Sequence, residues 1–486
     1  MLFNCEKKIS KEGLVCCKMN ILSGLKNKLI GDKNFYRRVI AVVIPIIIQS
    51  TVTNVVNLVD NVMIGNVDTL QMTAVGIINQ LIFVFNLCIF GGMSGAGIFA
   101  AQFFGAKDNK GVAHCFRFKL YLGFIILAIF VTVFLAFPEY FISLYIAEGT
   151  DTQNALLTLG YAKDYLFIML LGLIPFMVAQ AYGSTLKEVG ETSVPMIGSV
   201  AAIGVNIFLN YMLIFGKFGF PALGVVGAAI ATSISRLVEC LFVIFVTHKK
   251  KEKYLFIKDA FTTFKIPKYI VVDIIKKGTP ILINELLWSM GMAALLQCYS
   301  VRGIHVVGAN TISSTVSNLF NVVFIALGSS IAIFVGQQLG ANKIKEAKLT
   351  ASRLIFLSFA SSIVMGLVLM LLSPYIPYMY NTENNVKELA TSLLFIYSIF
   401  MPFFALSNGS YFTLRSGGKT IITFLFDSIF TWCICVPTAY LLVHFTGLNI
   451  LAVYAIVQGI EIIKGCVGLI LIKKGVWINN IVNNKL

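Results

Sequence analysis

Three short stretches place carboxylates where carboxylates are costly to keep. Residues 54–65 read NVVNLVDNVMIG and carry Asp60, residues 280–291 read PILINELLWSMG and carry Glu285, and residues 424–430 read FLFDSIF and carry Asp427. Each lies in a long apolar run. A carboxylate at the centre of a membrane helix costs about 2.5–3.5 kcal/mol on insertion scales, so such groups are usually retained for function. The chemistry open to them is cation chemistry: such a group takes a proton, a Na⁺ held in an oxygen cage, or an organic cation. On a helix turning about 100° per residue, Gln49, Thr53, Asn57 and Asp60 fall within about 80° of one another. Asp60 therefore heads a polar stripe that faces protein or a water-filled cavity. Glu285 follows Asn284 and precedes Ser289 by one helical turn. Asn310, Ser314, Ser317, Asn318 and Asn321 form a second stripe about 100° wide, although such amides and hydroxyls also serve simply as glue between membrane helices. Arg415 or Lys419 stands near enough in the chain to neutralise Asp427. Arg236 with Glu239, and Glu461 with Lys464, are i,i+3 pairs read as structural.

The elements that must position these groups follow from composition. The chain has 486 residues, 58% of them hydrophobic and 12% charged, with a mean hydropathy of +0.86. An average soluble domain is about 25% charged. This is an integral membrane protein, and apolar runs of the roughly 20 residues needed to cross the hydrocarbon core recur along it. They predict helices over 39–64, 70–103, 117–137, 160–184, 193–216, 224–247, 270–300, 308–338, 350–373, 390–414, 420–445 and 450–472. Runs this long lack the ten-residue alternation of a membrane barrel.

A formal charge of +16 suggests nucleic acid until the charges are placed. With the N-terminus cytoplasmic, Lys163, Lys217, Arg302 and Lys387 fall on or near the outer side, Arg236 and Lys464 fall within helices, and the other Lys and Arg lie in cytoplasmic tails and loops. That asymmetry is the positive-inside rule, and it predicts a multi-pass cell-membrane protein with both termini cytoplasmic and no nucleic-acid partner. The basic tail and the KKKEK loop at 249–253 are positioned to touch anionic lipid. No sustained apolar core precedes the first span, so insertion through that span is expected rather than a cleaved signal. The 10 Cys and 4 His are scattered without metal-ligand spacing. They leave no cluster of nucleophiles for an enzyme, and no cofactor is expected.

The chain repeats itself at an offset of 235. PIII at 45–48 aligns with PILI at 280–283, and AQFFGAKDNK at 101–110 with GQQLGANKIK at 336–345, carrying the identities Pro45/Pro280, Gln102/Gln337 and Gly105/Gly340. The expected fold is an all-α membrane protein of twelve transmembrane helices in two six-helix lobes related by internal duplication. Residues 1–38 form a basic cytoplasmic tail, 39–247 the first lobe, 248–269 a cytoplasmic linker, 270–473 the second lobe and 474–486 a C-terminal cytoplasmic tail. Six spans per half is an even number, so the halves enter from the same side and suit alternating access around a central site.

LVDNVMIG at 58–65, TAVGI at 73–77, FFGAKD at 103–108, the stretch GVNIFLNYMLIFGKFGFPALGVVGAAIATSISR at 204–236 and GQQLGAN at 336–342 together resemble the multidrug and toxic compound extrusion (MATE) family, over about residues 37–475. The resemblance implies a secondary antiporter that exports amphipathic, often cationic compounds against inward Na⁺ or H⁺. It assigns Asp60 to the family's first-helix acidic position, tied to cation coupling, and Asn206 to an asparagine of the same site. Asn210 stands where several relatives carry an acid. With Asn57, these make the expected cation-coupling site, a possible Na⁺ position at Asp60. Glu285, Gln49, Thr53, Asn284, Ser289, Asn318 and Asp427 make the expected substrate or second cation site. Glu285 is one turn nearer the proline than the seventh-helix Glu of some relatives. The partners implied are organic cations and membrane lipid, acting on a monomer. The alternative is a lipid-linked glycan flippase of the same superfamily, which calls for basic residues in the cavity.

Overall fold

The computed structural model describes residues 29–65, 69–145, 152–380 and 382–482. The basic segment 1–28, the cysteines at 16 and 17 among it, lies outside them. Twelve helices among the described residues are long and apolar enough to cross a membrane. We label them α1 (Lys33–Gly65), α2 (Thr69–Gly105), α3 (Asn109–Ala136), α4 (Thr152–Glu188), α5 (Ser193–Phe215), α6 (Gly224–Lys249), α7 (Lys268–Ser300), α8 (Ile304–Gly340), α9 (Ile344–Leu372), α10 (Asn384–Ser416), α11 (Thr420–Phe445) and α12 (Ile450–Lys473). Helices suit the setting because each satisfies its own backbone polar groups where no water can.

The duplication read from sequence reappears in three dimensions. Helices α1 and α7 each have 33 residues, and α2 and α8 each have 37. Pro45 and Pro280 interrupt the first pair, and Pro175 and Pro402 the fourth. The turn after α2 puts Lys107 at a φ of 61°, and the turn after α8 puts Asn342 at 60°, the same left-handed position at the same offset. At 37 residues, α2 and α8 are about 55 Å long, more than a bilayer's hydrocarbon requires, so they project beyond it. This explains why the helices outrun the apolar stretches: their ends continue into polar sequence outside the hydrocarbon.

The side of the molecule that carries the start of α1 and the end of α12, here the tail side, is where the halves meet. Phe35, Val39, Val42 and Ile46 of α1 pack in one buried cluster with Leu327 and Ile331 of α8. The α2 and α7 backbones touch at two glycines, since a Cβ on Gly95 would fall 2.4 Å from Gly278 Cα. One further step along the same seam, a Cβ on Gly91 would fall 3.1 Å from Leu282 Cα and 3.5 Å from Glu285 Cγ. The seam thus runs from the tail side up to Glu285.

Residues 248–269 do more than connect the halves. They contain a short helix, Leu255–Ala260, whose Phe256, Ile257 and Ala260 are buried. Arg117 of α3 holds it by donating to the carbonyls of Ala260 (2.7 Å), Lys265 (3.1 Å) and Asp259. Lys253 and Tyr254 reach back to Glu191, in the turn between α4 and α5. Burial pushes the Glu191 carboxyl up, but the hydrogen bond and charge of Lys253, with the Tyr254 hydroxyl, outweigh it and hold the group below its ordinary 4.5. The bond to Glu191 raises the Lys253 ammonium above its ordinary 10.5, against its burial. A lowered carboxyl stabilises the fold above its unfolded value and loses that contribution as pH falls through its folded one; a raised ammonium does the reverse at alkaline pH. The tie is therefore complete between 4.5 and 10.5. Glu191→Gln should flatten the fall in Tm on acidification from about pH 5 to about pH 3. Thermal unfolding across that range, wild type against variant, checks it, and parallel curves would disprove the tie.

Candidate functional site

In the first lobe, polar groups gather where α1, α5 and α6 meet. Gln49 Nε2 donates to Ser199 Oγ at 2.8 Å, and Ser199 Oγ donates in turn to Glu239 of α6. Thr53 Oγ1 bonds back to the Gln49 carbonyl at 2.8 Å and is exposed. Ser199, Asn206 and Asn210 are seven and four residues apart on α5, so they share one face. All three are buried. Asn210 donates to Asn206 Oδ1 at 3.1 Å, and Asn206 to Thr232 Oγ1 at 3.3 Å. Helix α1 continues unbroken to Gly65, but the side chains of Asn57 and Asp60 lie outside the described residues.

In the second lobe the groups are charged. Asn284 of α7 sits at the centre, donating Nδ2 to Asp427 Oδ2 at 3.0 Å and to the Tyr411 hydroxyl at 3.4 Å, while Ser428 donates to Asn284 Oδ1 at 2.7 Å. Tyr411 of α10 donates to Glu285 Oε1 at 3.1 Å. Arg415, one turn further along α10, places Nη1 3.8 Å from Glu285 Oε1 and 3.4 Å from the Tyr411 oxygen. Lys464 of α12 places Nζ 2.8 Å from Asp427 Oδ1 and 3.6 Å from Glu461 Oε1. The network bridges α7, α10, α11 and α12 and holds three carboxylates against two bases. One carboxylate is in excess, and such a site is balanced by taking up a proton or another cation. Around Asp427, α11 winds into two π-helical turns, Leu425–Ile429 and Thr431–Cys435. Such turns interrupt the regular hydrogen-bond ladder and occur frequently at functional sites. Trp432 Nε1 ties the second turn to the Leu287 carbonyl at 2.8 Å.

These contacts revise several pairings expected from sequence. Glu285, for which local spacing named no partner, is reached by both Tyr411 and Arg415. Asp427 takes its cation from Lys464 rather than from Arg415 or Lys419, and Lys464 lies closer to Asp427 than to Glu461. Glu239 gains a further partner in Ser199, and the Arg236 guanidinium also lies over the Phe176 ring at 4.9 Å. Among the other expected site residues, Ser289 is half-buried and Asn318 is exposed on α8, neither within the bonds described. Asn321 accepts from the Tyr397 hydroxyl at 3.0 Å inside the second lobe, a helix-to-helix tie. The roles of Tyr411, Arg415 and Glu239 were missed. Their only sequence signal was a polar side chain on an apolar helix or at its end, which does not name a partner.

The MatE family model matches the chain twice, over residues 45–212 and 280–441. The chain belongs to the MatE family. It is accordingly a multi-pass transporter of the cell membrane, not an enzyme. Relatives of this MatE protein include one named "Probable multidrug resistance protein NorM" in Thermotoga maritima, 22% identical over 91% of this chain and 93% of the relative. Another is "Probable multidrug resistance protein YoeA" in Bacillus subtilis, 26% identical over 85% and 88%. In fold it is similar to a multidrug resistance MATE transporter solved in an outward-facing conformation (TM-score 0.81, 21% identity, 90% of this chain and 96% of that one). It is likewise similar to a transporter from Pyrococcus furiosus described as having a binding pocket of reverse polarity (TM-score 0.80, 21% identity, 96% and 98%).

The buried pair of this MatE protein gives a direct test. Removing one partner of a buried ion pair typically costs about 3–5 kcal/mol because the other charge is stranded, whereas replacing both is close to neutral. Lys464→Met should lower Tm sharply, and Asp427→Asn with Lys464→Met should recover part of the loss, since Glu461, 3.6 Å from Lys464, still loses its cation. A double-mutant cycle of thermal unfolding in detergent measures it; additive losses would show that the two side chains do not act as a pair.

Proposed function

We propose that the protein is a secondary active antiporter that exports amphipathic, chiefly cationic, drugs or metabolites in exchange for inward Na⁺ or H⁺. Lobes 39–247 and 270–473 rock about the central seam, with both termini cytoplasmic and a single chain as the working unit. The observation that supports this reading best is the second-lobe network, three carboxylates against two bases, with Glu285 at the upper end of the seam. A net negative site there attracts organic cations. Lys464 and Arg415 act as resident counter-charges that an arriving cation partly displaces from Asp427 and Glu285. The names of the relatives support multidrug substrates. Asp60, with amide oxygens from Asn57 and Asn206, is the first-lobe coupling site, and either ion neutralises it.

The driving force is adequate. One elementary charge crossing about 100 mV releases roughly 2.3 kcal/mol, and a tenfold ion gradient adds roughly 1.4 kcal/mol. A monovalent cation exchanged one for one cancels the electrical part. The flippase reading draws support from the intramembrane bases Arg415 and Lys464, which would suit a pyrophosphate. Both already face carboxylates, which favours cations instead.

The test is flux into proteoliposomes under imposed Na⁺ or pH gradients, with ethidium as the cation and a neutral amphiphile beside it. Asp60→Asn should reduce gradient-driven transport of both at least tenfold while protein remains in the membrane. Glu285→Gln should weaken ethidium transport several-fold more than that of the neutral compound. Normal coupled flux in the first variant, or equal losses in the second, would refute the corresponding role.

A further inference from the structure

The duplicated motifs AQFFGAKD and GQQLGANK contain a glutamine and a glycine that the chemistry above does not use. Gln102, on α2, is wholly buried. Its Nε2 crosses to the other lobe and donates to the Ser416 carbonyl at the end of α10, at 3.0 Å. Gln337, its counterpart on α8, crosses in the opposite sense and donates to the Glu188 carbonyl at the end of α4, at 2.7 Å. The acceptors correspond as the donors do. Each is the last residue of its lobe's fourth span and stands two residues before a left-handed glycine, Gly418 (φ 68°) or Gly190 (φ 86°). Carbonyls at a helix end have no partner within the helix, so these two are satisfied by the opposite lobe.

The glycines make the crossing possible. A Cβ on Gly105 would fall 1.8 Å from the Gln337 carbonyl oxygen, and one on Gly340 would fall 1.9 Å from that of Gln102. No other residue admits backbones that close. The two halves differ in what supports them. Behind Glu188, the buried Lys119 grips its carboxylate at 2.6 Å. Beside Gln102, the segment after α12 folds across the lobes: Trp477 is buried, Asn479 Nδ2 donates to the Gly417 carbonyl at 3.3 Å, and Asn480 Nδ2 donates to the Gly340 carbonyl at 3.4 Å. The Asn479 carbonyl accepts from Gln102 Nε2 at 3.3 Å, and the Ile481 amide donates to Gln102 Oε1 at 2.9 Å.

We infer that Gln102 and Gln337, with Gly105 and Gly340, form a paired gate that must part for the central site to open on the tail side, and that residues 474–482 are a strap reinforcing the Gln102 half. This rests on the two-lobe transport reading but not on the identity of the coupling ion. The glutamines are positioning residues. Their bonds are few and replaceable by water once the lobes separate, so they bias the closed arrangement rather than lock it. Arg415, which reaches Glu285, immediately precedes Ser416, whose carbonyl accepts from Gln102, so a change in the charged site lies one residue from the gate's acceptor.

The experiment is spin-label distance measurement between Lys110→Cys and Lys345→Cys, exposed equivalent positions on the tail-side ends of α3 and α9, in a cysteine-depleted protein in lipid nanodiscs. Gln102→Glu and Gln337→Glu keep the shape and lose the donor. Each should raise the long-distance population at least threefold, Gln102→Glu more, and both together more again. Ile481→Pro removes one backbone donor from the strap and should give a smaller shift in the same direction, which keeps the gate testable should a glutamate variant fail to fold. An unchanged distribution in all folded variants, or a shift in only one of the two glutamate variants, would overturn the paired gate. No ion gradient is applied, so failure of coupled export in proteoliposomes and failure of the gate are read separately.

Discussion

A charge in hydrocarbon must have a partner, and the architecture depends on that constraint. Leaving a buried carboxylate or ammonium unmatched costs several kcal/mol, and three pairs meet that cost by joining opposite charges on different helices. Lys119 joins α3 to α4 through Glu188, Arg415 joins α10 to α7 through Glu285, and Lys464 joins α12 to α11 through Asp427. The pairs act as directional ties among helices whose apolar surfaces would otherwise pack almost equally well against lipid.

The duplication has been preserved unevenly, and the pattern of what was kept is informative. The seam is close to symmetric: Pro45 and Pro280, Gln102 and Gln337, Gly105 and Gly340, and the left-handed Lys107 and Asn342 all sit 235 residues apart. The polar interiors are not. The first lobe gathers amides and hydroxyls around Glu239 and Asn206, while the second gathers three acids and two bases. Close backbone contact between the lobes needs small residues and satisfied helix ends on both sides of it. Binding places no such demand, and each interior is free to hold different chemistry. The two π-helical turns of α11 illustrate this, reshaping one helix beside Asp427 without disturbing the seam.

The helices, their number, the duplication and the family were legible in the chain because each rests on local or repeated information: apolar length, the siting of Lys and Arg, and two motifs a fixed distance apart. The chemical groups Glu285, Asn284 and Asp427 were legible as types, since polar residues stand out in an apolar run. Their partners were not. Local spacing favoured Lys464 with Glu461, three residues away, yet Lys464 lies nearer Asp427, 37 residues away. Arg415 looked like a loop cation available to Asp427 and instead faces Glu285 across α7. Glu239, three residues from Arg236 on its own helix, also takes a hydrogen bond from α5.

By itself, then, the amino-acid sequence determined which segments cross the membrane, that the two halves descend from one pattern, and where costly polar groups lie. Only the tertiary structure decided which of those groups face each other. The physical reason is range. Helix formation and apolar length are properties of neighbouring residues, whereas an ion pair across two helices depends on the rotation of each about its own axis. That rotation is set jointly by glycine contacts such as Gly95 on Gly278, by local winding such as the π-helical turns of α11, and by every other helix packed against the pair.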